Sequence, residues 1–458
     1  MKLREFGKFK KLELGSVSDF RSYLNESWKK RYILYDDRAL YNEEVIYGEQ
    51  RFLTFDGHLA KARNYVGFIG YEGETITIYP KVFPKEIVEE DIDGFLMTNL
   101  LYWLKKSTKI KFPIVETNLA FNNRDSFIEI LIYIFSKFTL DGVYNNPYNS
   151  YEEIEEELTY LKGRLNITEY IKSNISTGRW NYISTIHEPF IYNNKVNKII
   201  KYVSKMLLSV TKKNESSENL KRILFILDEV DDIHCGEDEC NGIRMNRFNK
   251  EYETILDLCE MFLRNTSLSS SKNADKLNFC FLIPMELLYE DFIFNFIKER
   301  YNEKFKEITK QKSNLYLADT YVNDKLDGKS FNLKQDIYLR DINDNVFILD
   351  TKYKMLNGNK CDKYGIKQAD MYQMCSYALR GGYKNLVLIY PETCALNDEI
   401  RFVINSGFGD VMIGIDILQV SFLLNYECYK NGEQIETLSS MNDEKLMRNL
   451  ESGLLSIK

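Results

Sequence analysis

Histidine is scarce in this chain, and its scarcity argues against several kinds of catalytic centre. The 458 residues include three histidines, His58, His187 and His234, which lie far apart in the sequence. A Ser-His-Asp triad, a histidine-based nuclease and a zinc hydrolase all need histidine beside other reactive or ligating groups. Residues 234–240, HCGEDEC, combine one His with two Cys, but no second pair follows at zinc-finger spacing. A polar loop is therefore the expected structure there.

Long apolar runs and an excess of positive charge are also missing. No stretch of about 18 or more apolar residues occurs, so we expect no membrane span. The N-terminal segment MKLREFGKFKKLELG is too charged for a signal peptide. The eight cysteines are scattered without a disulfide framework, which favours reduced thiols and a cytoplasmic location. The formal net charge of −7 argues against a stand-alone nucleic-acid-binding protein, which is usually basic.

A phosphate-binding loop is absent from the sequence as well. The segment DGKS (327–330) ends like such a loop, but Asn323 stands where the first glycine is required. The segment ILFILDEVDDI (223–233) resembles the acidic strand of a nucleotide hydrolase. Without the loop, we interpret it as a helix with an acidic end. This chain is therefore not expected to hydrolyse ATP or GTP.

The patterns that are present divide the chain into three parts and predict an α+β fold. Residues 1–92 form a β-rich N-terminal domain, with a hairpin predicted over YVGFIGYEGETITIYPKVF (65–83). Residues 93–280 repeat apolar positions at helical spacing, as in KVNKIIKYVSKMLLSV (195–210), and form a helical middle domain. Residues 281–458 give the order helix, three strands, helix, strand, which predicts a mixed sheet with an αβββαβ core.

Two aspartates and a lysine are predicted to meet on one face of that sheet. Asp336 begins the strand QDIYL, and Asp350 ends the next strand, NVFILD, across a turn at residues 341–345. In an antiparallel hairpin these two carboxylates can lie close together. Lys352 follows Asp350 by two residues, so on a strand it points to the same face.

A third acid, Glu290, is predicted on the helix that precedes these strands. Its neighbours at three and four residues, Leu287, Ile293 and Phe294, are apolar, so Glu290 is expected on the face that the helix buries. Two carboxylates about 4 Å apart repel by roughly 4 kcal/mol at an effective dielectric of about 20. Three together need a cation, and Mg²⁺ or Mn²⁺ fits a set of oxygen ligands.

Such an ion suits the hydrolysis of a phosphodiester, because it polarises a phosphoryl oxygen and lowers the pKa of a bound water. Lys352 could position or deprotonate that water, or stabilise the transition state, and the sequence does not choose between these roles. The helix over IKQADMYQMCSYALRGG places Asp370, Gln373 and Tyr377 on one stripe. Gln373 and Tyr377 are predicted to face the metal site or the scissile strand.

Asp336, the sequence Asp350-Thr-Lys352 and the following QMCSY helix resemble the PD-(D/E)xK nuclease superfamily. More narrowly, the chain resembles the McrC family, the nuclease subunit of McrBC modification-dependent restriction systems, along most of its length. The stretches that carry this resemblance are TIYPKVF (77–83), LKGRL (161–165), EPFIYNNKVNKII (188–200), NRFNKEY (246–252), MELLYEDF (285–292), DTKYK (350–354) and ADMYQMCSYA (369–378). One departure is Gln335, which stands where the name of the motif has a proline.

The resemblance implies a role for each candidate residue. It implies that Asp336, Asp350 and Lys352 are catalytic and that Glu290 is the helix acid. Asp336, Asp350 and Glu290 are then the metal ligands. The residues expected to support the substrate are Gln373, Tyr377 and Lys354.

The resemblance also implies partners. McrC-like subunits bind a ring-forming AAA+ protein that hydrolyses GTP, translocates DNA and recognises modified bases, and residues 1–92 are expected to make this contact. The expected protein is a Mg²⁺-dependent DNA endonuclease subunit that acts in antiviral defence. Two alternatives stay open: a stand-alone RecB-like repair nuclease, and a regulator that docks on the GTPase without cleaving DNA.

Overall fold

The computed structural model describes residues 1–31, 49–108, 127–151, 153–243, 245, 249–268, 277–393, 399–405 and 412–455. They fall into two compact units. The first unit contains the described residues of 1–114 and 278–458, and the second contains those of 126–277. In this part of the chain, no helix has the length and apolar character that crossing a bilayer requires.

An N-terminal module, residues 1–108, opens the first unit. Its elements are β1 (Lys2–Arg4), β2 (Lys10–Lys11), α1 (Val17–Arg31), β3 (Leu53–Asp56), β4 (Leu59–Ala62), β5 (Tyr65–Tyr71), β6 (Glu74–Tyr79) and α2 (Ile92–Lys105). β5 and β6 pair in an antiparallel register that ends at Tyr71 opposite Glu74, so the hairpin predicted over residues 65–83 is confirmed. A core that includes Phe20, Phe52 and Ile69 holds α1 against these strands.

The second unit is mainly helical, with short strands. Its elements are α3 (Phe127–Asn145), β7 (Ser150–Tyr151), β8 (Ile154–Leu158), β9 (Arg164–Leu165), α4 (Ile167–Glu169), β10 (Ile183–His187), β11 (Phe190–Ile191), α5 (Lys195–Leu208), α6 (Asn214–Ile226), α7 (Lys250–Asn265) and β12 (Thr266–Leu268). The segment 223–233 begins inside α6, so its interpretation as the end of a helix is confirmed. Residues 237–240 form a short 3-10 turn.

The C-terminal part of the first unit contains the largest described sheet. Its elements are β13 (Leu277–Pro284), α8 (Met285–Tyr301), β14 (Phe305–Val322), β15 (Lys325–Asp341), β16 (Val346–Thr351), α9 (Gln368–Gly381), β17 (Asn385–Pro391), β18 (Ile400–Asn405), β19 (Met412–Val420), α10 (Tyr426–Lys430) and α11 (Ile435–Leu455). The strand order is β14-β15-β16-β17-β19-β18. β14, β15 and β16 are antiparallel, whereas β16, β17 and β19 run parallel. The predicted α+β class is confirmed.

The compact units differ from the three predicted domains. β13 contains the predicted boundary at residue 281, and it pairs with β5 of the N-terminal module. Helix α2, which the prediction assigns to the middle domain, packs in the first unit through Trp103, whose indole Nε1 donates to Phe422 O at 2.7 Å. The period of an apolar segment shows that it is a strand or a helix, but not which distant segment will cover it. Residues 1–108 and 278–455 therefore belong to one compact unit.

Candidate active site

Two aspartates lie on adjacent strands of the large sheet. β15 pairs with β16 in a register that places Ile337 opposite Leu349. One further step along the two strands brings Asp336 level with Asp350, the last residue but one of β16. The backbone amide and the hydroxyl of Thr351 donate to Asp336 Oδ2 at 2.9 and 3.0 Å. The strand backbone thus fixes the Asp336 carboxylate beside Asp350.

Asp350 is fully buried and is paired with an ammonium group. Its side chain has no exposure to solvent, and Lys352 Nζ forms an ion pair with Asp350 Oδ2. Within the part of the chain that the structure describes, neither carboxylate oxygen accepts a hydrogen bond of ordinary geometry. A buried carboxylate without hydrogen-bond donors is unfavourable by several kcal/mol unless a cation compensates it. These oxygens are therefore well suited to act as cation ligands.

A chain of hydrogen bonds holds Lys352 from helix α9. Lys352 Nζ donates to Gln373 Oε1 at 2.9 Å, and Gln373 Nε2 donates to Tyr377 Oη at 2.7 Å. The Tyr377 hydroxyl in turn donates to Lys334 O, in β15, at 2.5 Å. Gln373 and Tyr377 are one helical turn apart, so the same helix face reaches the lysine and the strand. The structure thus brings five of the predicted residues together: Asp336, Asp350, Lys352, Gln373 and Tyr377.

Burial raises the pKa values of both aspartates, and the charges of neighbouring carboxylates add to each shift. Burial raises the pKa of Asp336 to about 6, and the charge of Asp350 adds to this shift, while Lys352 and the hydrogen bonds from Thr351 oppose it. Burial also raises the pKa of Asp350, against the charge of Lys352. Burial lowers the pKa of Lys352, but the charges of Asp350 and Asp336 outweigh it, so the net shift is upward. The Lys352 ammonium therefore faces the carboxyl groups of both Asp336 and Asp350, and a second cation would relieve the repulsion between these two carboxyls.

Glu290 is placed differently from the prediction. It is only partly buried, and its Oε1 accepts a hydrogen bond from Gln311 Nε2 at 2.9 Å. Its charge contributes to the raised pKa of Asp350. Among the described residues, however, no group of three or more Asp, Glu, His or Cys side chains is arranged to hold a metal ion. The two strand aspartates meet, and Glu290 does not complete a three-acid cluster with them.

The fully buried acid of helix α8 is Asp291, which the sequence reasoning missed. The Ser107 hydroxyl and the Thr108 amide each donate to Asp291 Oδ2 at 2.6 Å, and Lys310 Nζ forms an ion pair with it. Glu290 is half-buried, less than the predicted buried face implies, and its charge contributes to the raised pKa values of Asp350 and Tyr377. Apolar residues of α8 are buried around most of its circumference, so three- and four-residue spacing does not define one inner face.

Lys354 and Asp370 form a neighbouring ion pair. Lys354 Nζ donates to both oxygens of Asp370, at 2.7 and 2.8 Å, so its ammonium group is already engaged by the protein. Asp370 is buried, and its charge contributes to the raised pKa of Asp350. The signal for Asp370 in the sequence is its place on the same helical stripe as Gln373.

Comparisons with known proteins bear on this site. Residues 60–391 match the family model for the McrBC 5-methylcytosine restriction system component. The chain is similar to one in a refined half-complex from a tetradecameric assembly of Thermococcus gammatolerans McrB AAA+ hexamers with bound McrC. The identity is 20% and the TM-score is 0.65, and the match covers 96% of this chain and 99% of that chain. A chain from a cryo-EM structure of the Thermococcus gammatolerans McrBC complex has 21% identity and a TM-score of 0.47, over 67% of this chain and 89% of that one. No curated protein matches.

The structural likeness at 20% identity shows a shared fold. The family match is more specific, because it covers more than half of the chain and contains every candidate site residue. The family resemblance predicted from the sequence is therefore confirmed, and this chain belongs to the family of McrBC 5-methylcytosine restriction system components.

Proposed function

We propose that this chain is the Mg²⁺-dependent DNA endonuclease subunit of a McrBC-like restriction system. The observation that carries the proposal is the cluster of Asp336, Asp350 and Lys352 at the end of β16. The order α8, β14, β15, β16, α9, β17 supports a PD-(D/E)xK core around this cluster. The family match supports a role in restriction.

The donor set fits a hard divalent cation. Asp336 and Asp350 supply carboxylate oxygens, the ligands that Mg²⁺ and Mn²⁺ prefer, and these two residues would hold the ion. The ion, when bound, would polarise the scissile phosphodiester and activate a water molecule. Glu290, whose Oε1 accepts a hydrogen bond from Gln311, would supply a further carboxylate oxygen to the ion.

Lys352 acts as a fixed positive charge in this proposal. Its contacts with Asp350 Oδ2 and Gln373 Oε1 hold the ammonium at the site, where it would stabilise negative charge in the transition state. Gln373 Oε1 accepts a hydrogen bond from Lys352, and Gln373 Nε2 donates one to the Tyr377 hydroxyl. Gln373 and Tyr377 therefore orient the Lys352 ammonium. Lys354 supports the site indirectly, because its ammonium forms an ion pair with Asp370 and neutralises the charge of that carboxylate.

We also propose that the chain works with a ring-forming AAA+ GTPase and stimulates it. In the similar Thermococcus gammatolerans structure, McrC is bound to McrB AAA+ hexamers. A DNA-translocating partner would bring DNA to an acidic chain whose net charge is −7. The predicted contact through residues 1–92 stays a proposal.

The second unit offers a competing surface for that partner. Several of its large apolar side chains are exposed, and such exposure often marks an interaction site. They include Tyr151, Tyr160, Leu161, Ile167, Trp180 and Phe190, and Trp180 is 73% exposed. Variants of residues 1–92 and of this surface, compared for ring binding, decide between the two contacts.

Cleavage of methylated plasmid DNA by the full chain with Mg²⁺ and its AAA+ partner tests the proposal. We expect Asp350→Asn and Lys352→Ala each to lower the cleavage rate by about 10²-fold or more, because each removes a group that stabilises the transition state. Both variants should still stimulate the GTPase. Asp344→Asn, at an exposed aspartate of the turn before β16, should keep the wild-type rate.

Three outcomes separate the proposal from its alternatives. Cleavage at the wild-type rate by either site variant would contradict the assigned mechanism. A wild-type chain that stimulates the GTPase but never cleaves DNA would be a regulator. Full cleavage without the partner would indicate a stand-alone nuclease.

A further inference from the structure

A buried cluster of charged and aromatic groups includes Tyr353, the residue that follows Lys352 just beyond the end of β16. This rear cluster consists of Glu5 and Lys81, from the N-terminal module, and Tyr353. The Tyr353 hydroxyl and the Lys81 amide each donate to Glu5 Oε2 at 3.1 Å. Lys81 Nζ lies 3.8 Å from Glu5 Oε1 and 4.2 Å from the centroid of the Tyr353 ring. Tyr353 is therefore held by a carboxylate at its hydroxyl and by an ammonium at its ring.

The backbone connects this cluster directly to the candidate active site. The Lys352 amide donates to Ile389 O at 2.8 Å, which continues the pairing of β16 with β17 by one residue. β16 ends at Thr351, and the Lys354 amide donates to Lys352 O at 2.7 Å, which closes a tight turn centred on Tyr353. Lys352 reaches Asp350, whereas the Tyr353 hydroxyl reaches Glu5 and the Tyr353 ring centroid lies 5.9 Å from that of Tyr289. A displacement of Tyr353 would therefore move the backbone from which the Lys352 ammonium extends.

Stability alone does not account for the rear cluster. Burial raises the pKa of Glu5 in spite of the opposing Lys81 charge, and burial lowers the pKa of Lys81. Both charges are thus disfavoured by the fold, and replacing a buried ion pair with apolar residues is often neutral or stabilising. Glu5 Oε1 has no hydrogen-bond partner among the described residues. A need to hold Tyr353 in one position explains why the charged groups of Glu5 and Lys81 are buried beside it.

We propose that Glu5 and Lys81 are positioning residues that act through Tyr353 to hold Lys352 against Asp350 and Gln373. The N-terminal module thereby completes the nuclease site from the rear. The expected effects on the cleavage rate rest on the proposed nuclease function. The expected effect on the position of Lys352 does not.

The first test removes one hydroxyl group. Tyr353→Phe keeps the ring and loses the hydrogen bond to Glu5, and we expect cleavage of methylated plasmid DNA with Mg²⁺ and the AAA+ partner to fall about 10-fold or more, because small misplacements of catalytic groups cost large factors in rate. Tyr301→Phe is the matched control, since Tyr301 is also buried and its hydroxyl donates to Met447 O at 3.2 Å. It should cleave at the wild-type rate. Equal rates for both variants would overturn the proposal.

A double-mutant cycle tests whether Glu5 acts through Tyr353. Glu5→Gln alone should lower the cleavage rate. When it is combined with Tyr353→Phe, the loss in the double variant should be smaller than the two single losses combined, because the shared hydrogen bond is already lost. Additive losses would overturn the proposed route from Glu5 to Lys352.

A second readout does not depend on DNA cleavage. The rate at which acetic anhydride acetylates Lys352 in the full chain can be measured by mass spectrometry, with the exposed Lys304 as an internal reference. We expect several-fold faster acetylation in Tyr353→Phe, since a displaced ammonium loses its contacts with Asp350 and Gln373. Unchanged acetylation of Lys352 would overturn the positioning role. If the wild-type chain does not cleave DNA at all, the proposed function is refuted. The acetylation rate of Lys352 then still tests whether Glu5 and Lys81 position it.

Discussion

At the scale of single residues, Glu5 is a carboxylate whose charge is unfavourable in the folded chain. Burial raises its pKa above the usual value, although the charge of Lys81 and the hydrogen bonds from Lys81 and Tyr353 oppose the shift. A carboxyl with a raised pKa binds its proton more tightly when folded. Its contribution to stability is therefore complete below the unfolded pKa and is lost as the pH rises through the folded pKa.

Glu5→Gln should remove this part of the pH dependence. The free energy of unfolding of the variant minus that of the wild type should therefore increase as the pH rises above the usual pKa of a glutamate carboxyl, because only the wild type loses stability as Glu5 ionises. Urea denaturation at several pH values measures the difference. Glu13→Gln, at an exposed position of the same module, provides the matched control. A difference that stays constant or decreases with pH would contradict the expectation.

Side-chain alternation on strands is a strong signal, and it is sufficient to group Asp350 with Lys352 from the sequence alone. Helix periodicity is weaker evidence. It selects Glu290 as the buried acid, whereas the fully buried residue is Asp291, because neighbours cover α8 on most sides. Asp370 stands out in the sequence only as part of a polar stripe, since its partner Lys354 cannot be deduced from spacing.

At the scale of elements, the end of helix α9 depends on one glycine. Gly382 follows the helix with a φ of 67°, in the left-handed region, and no atom lies within 4 Å of the position that a Cβ would occupy. The space is therefore open, and only the backbone conformation resists a side chain. Left-handed backbone costs an ordinary residue about 1–2 kcal/mol.

Gly382→Ala should lower the thermal midpoint by about 2–4 °C, as expected for about 1 kcal/mol in a large domain. Gly358→Ala is the control, because it also has no atom within 4 Å and its φ is not in the left-handed region. Differential scanning calorimetry compares the two variants, and cleavage should be unchanged, since Gln373 and Tyr377 lie on earlier turns of α9. Equal midpoints for both variants would show that the helix end bears no strain.

The types of the elements follow well from the sequence, whereas their partners do not. The β5–β6 hairpin is predictable because its two apolar alternations flank a Gly-containing turn. Strand β13 is recognisable as an apolar run, but its pairing with β5 joins residues about two hundred positions apart. No local propensity encodes such a pairing, which depends on the complementarity of whole surfaces.

At the scale of the whole molecule, the N-terminal module and the C-terminal sheet unfold together in our interpretation. Trp103 is fully buried, and its ring stacks on Phe422 with centroids 4.4 Å apart. Trp103→Ala should lower the free energy of unfolding by about 3–5 kcal/mol, as measured by urea denaturation. Two separate transitions, with only one affected, would contradict a single cooperative unit.

Trp180→Ala supplies the contrast, because this side chain is 73% exposed. Its free energy of unfolding should change by less than about 0.5 kcal/mol. If the exposed apolar surface of the second unit binds the AAA+ ring, the same variant should weaken ring binding and GTPase stimulation. Unchanged stimulation of the GTPase would favour residues 1–92 as the contact with the ring.

The hydrogen bond between Glu5 and Tyr353 spans 348 positions of the chain. On the ribosome, the first of these residues emerges long before the second. A nascent polypeptide that lacks Tyr353 also lacks α9 and β17, which follow it in the chain. The contact between Glu5 and Tyr353 therefore forms only after most of the chain has been synthesised, so the first residues of the N-terminal module wait for their partner throughout that time.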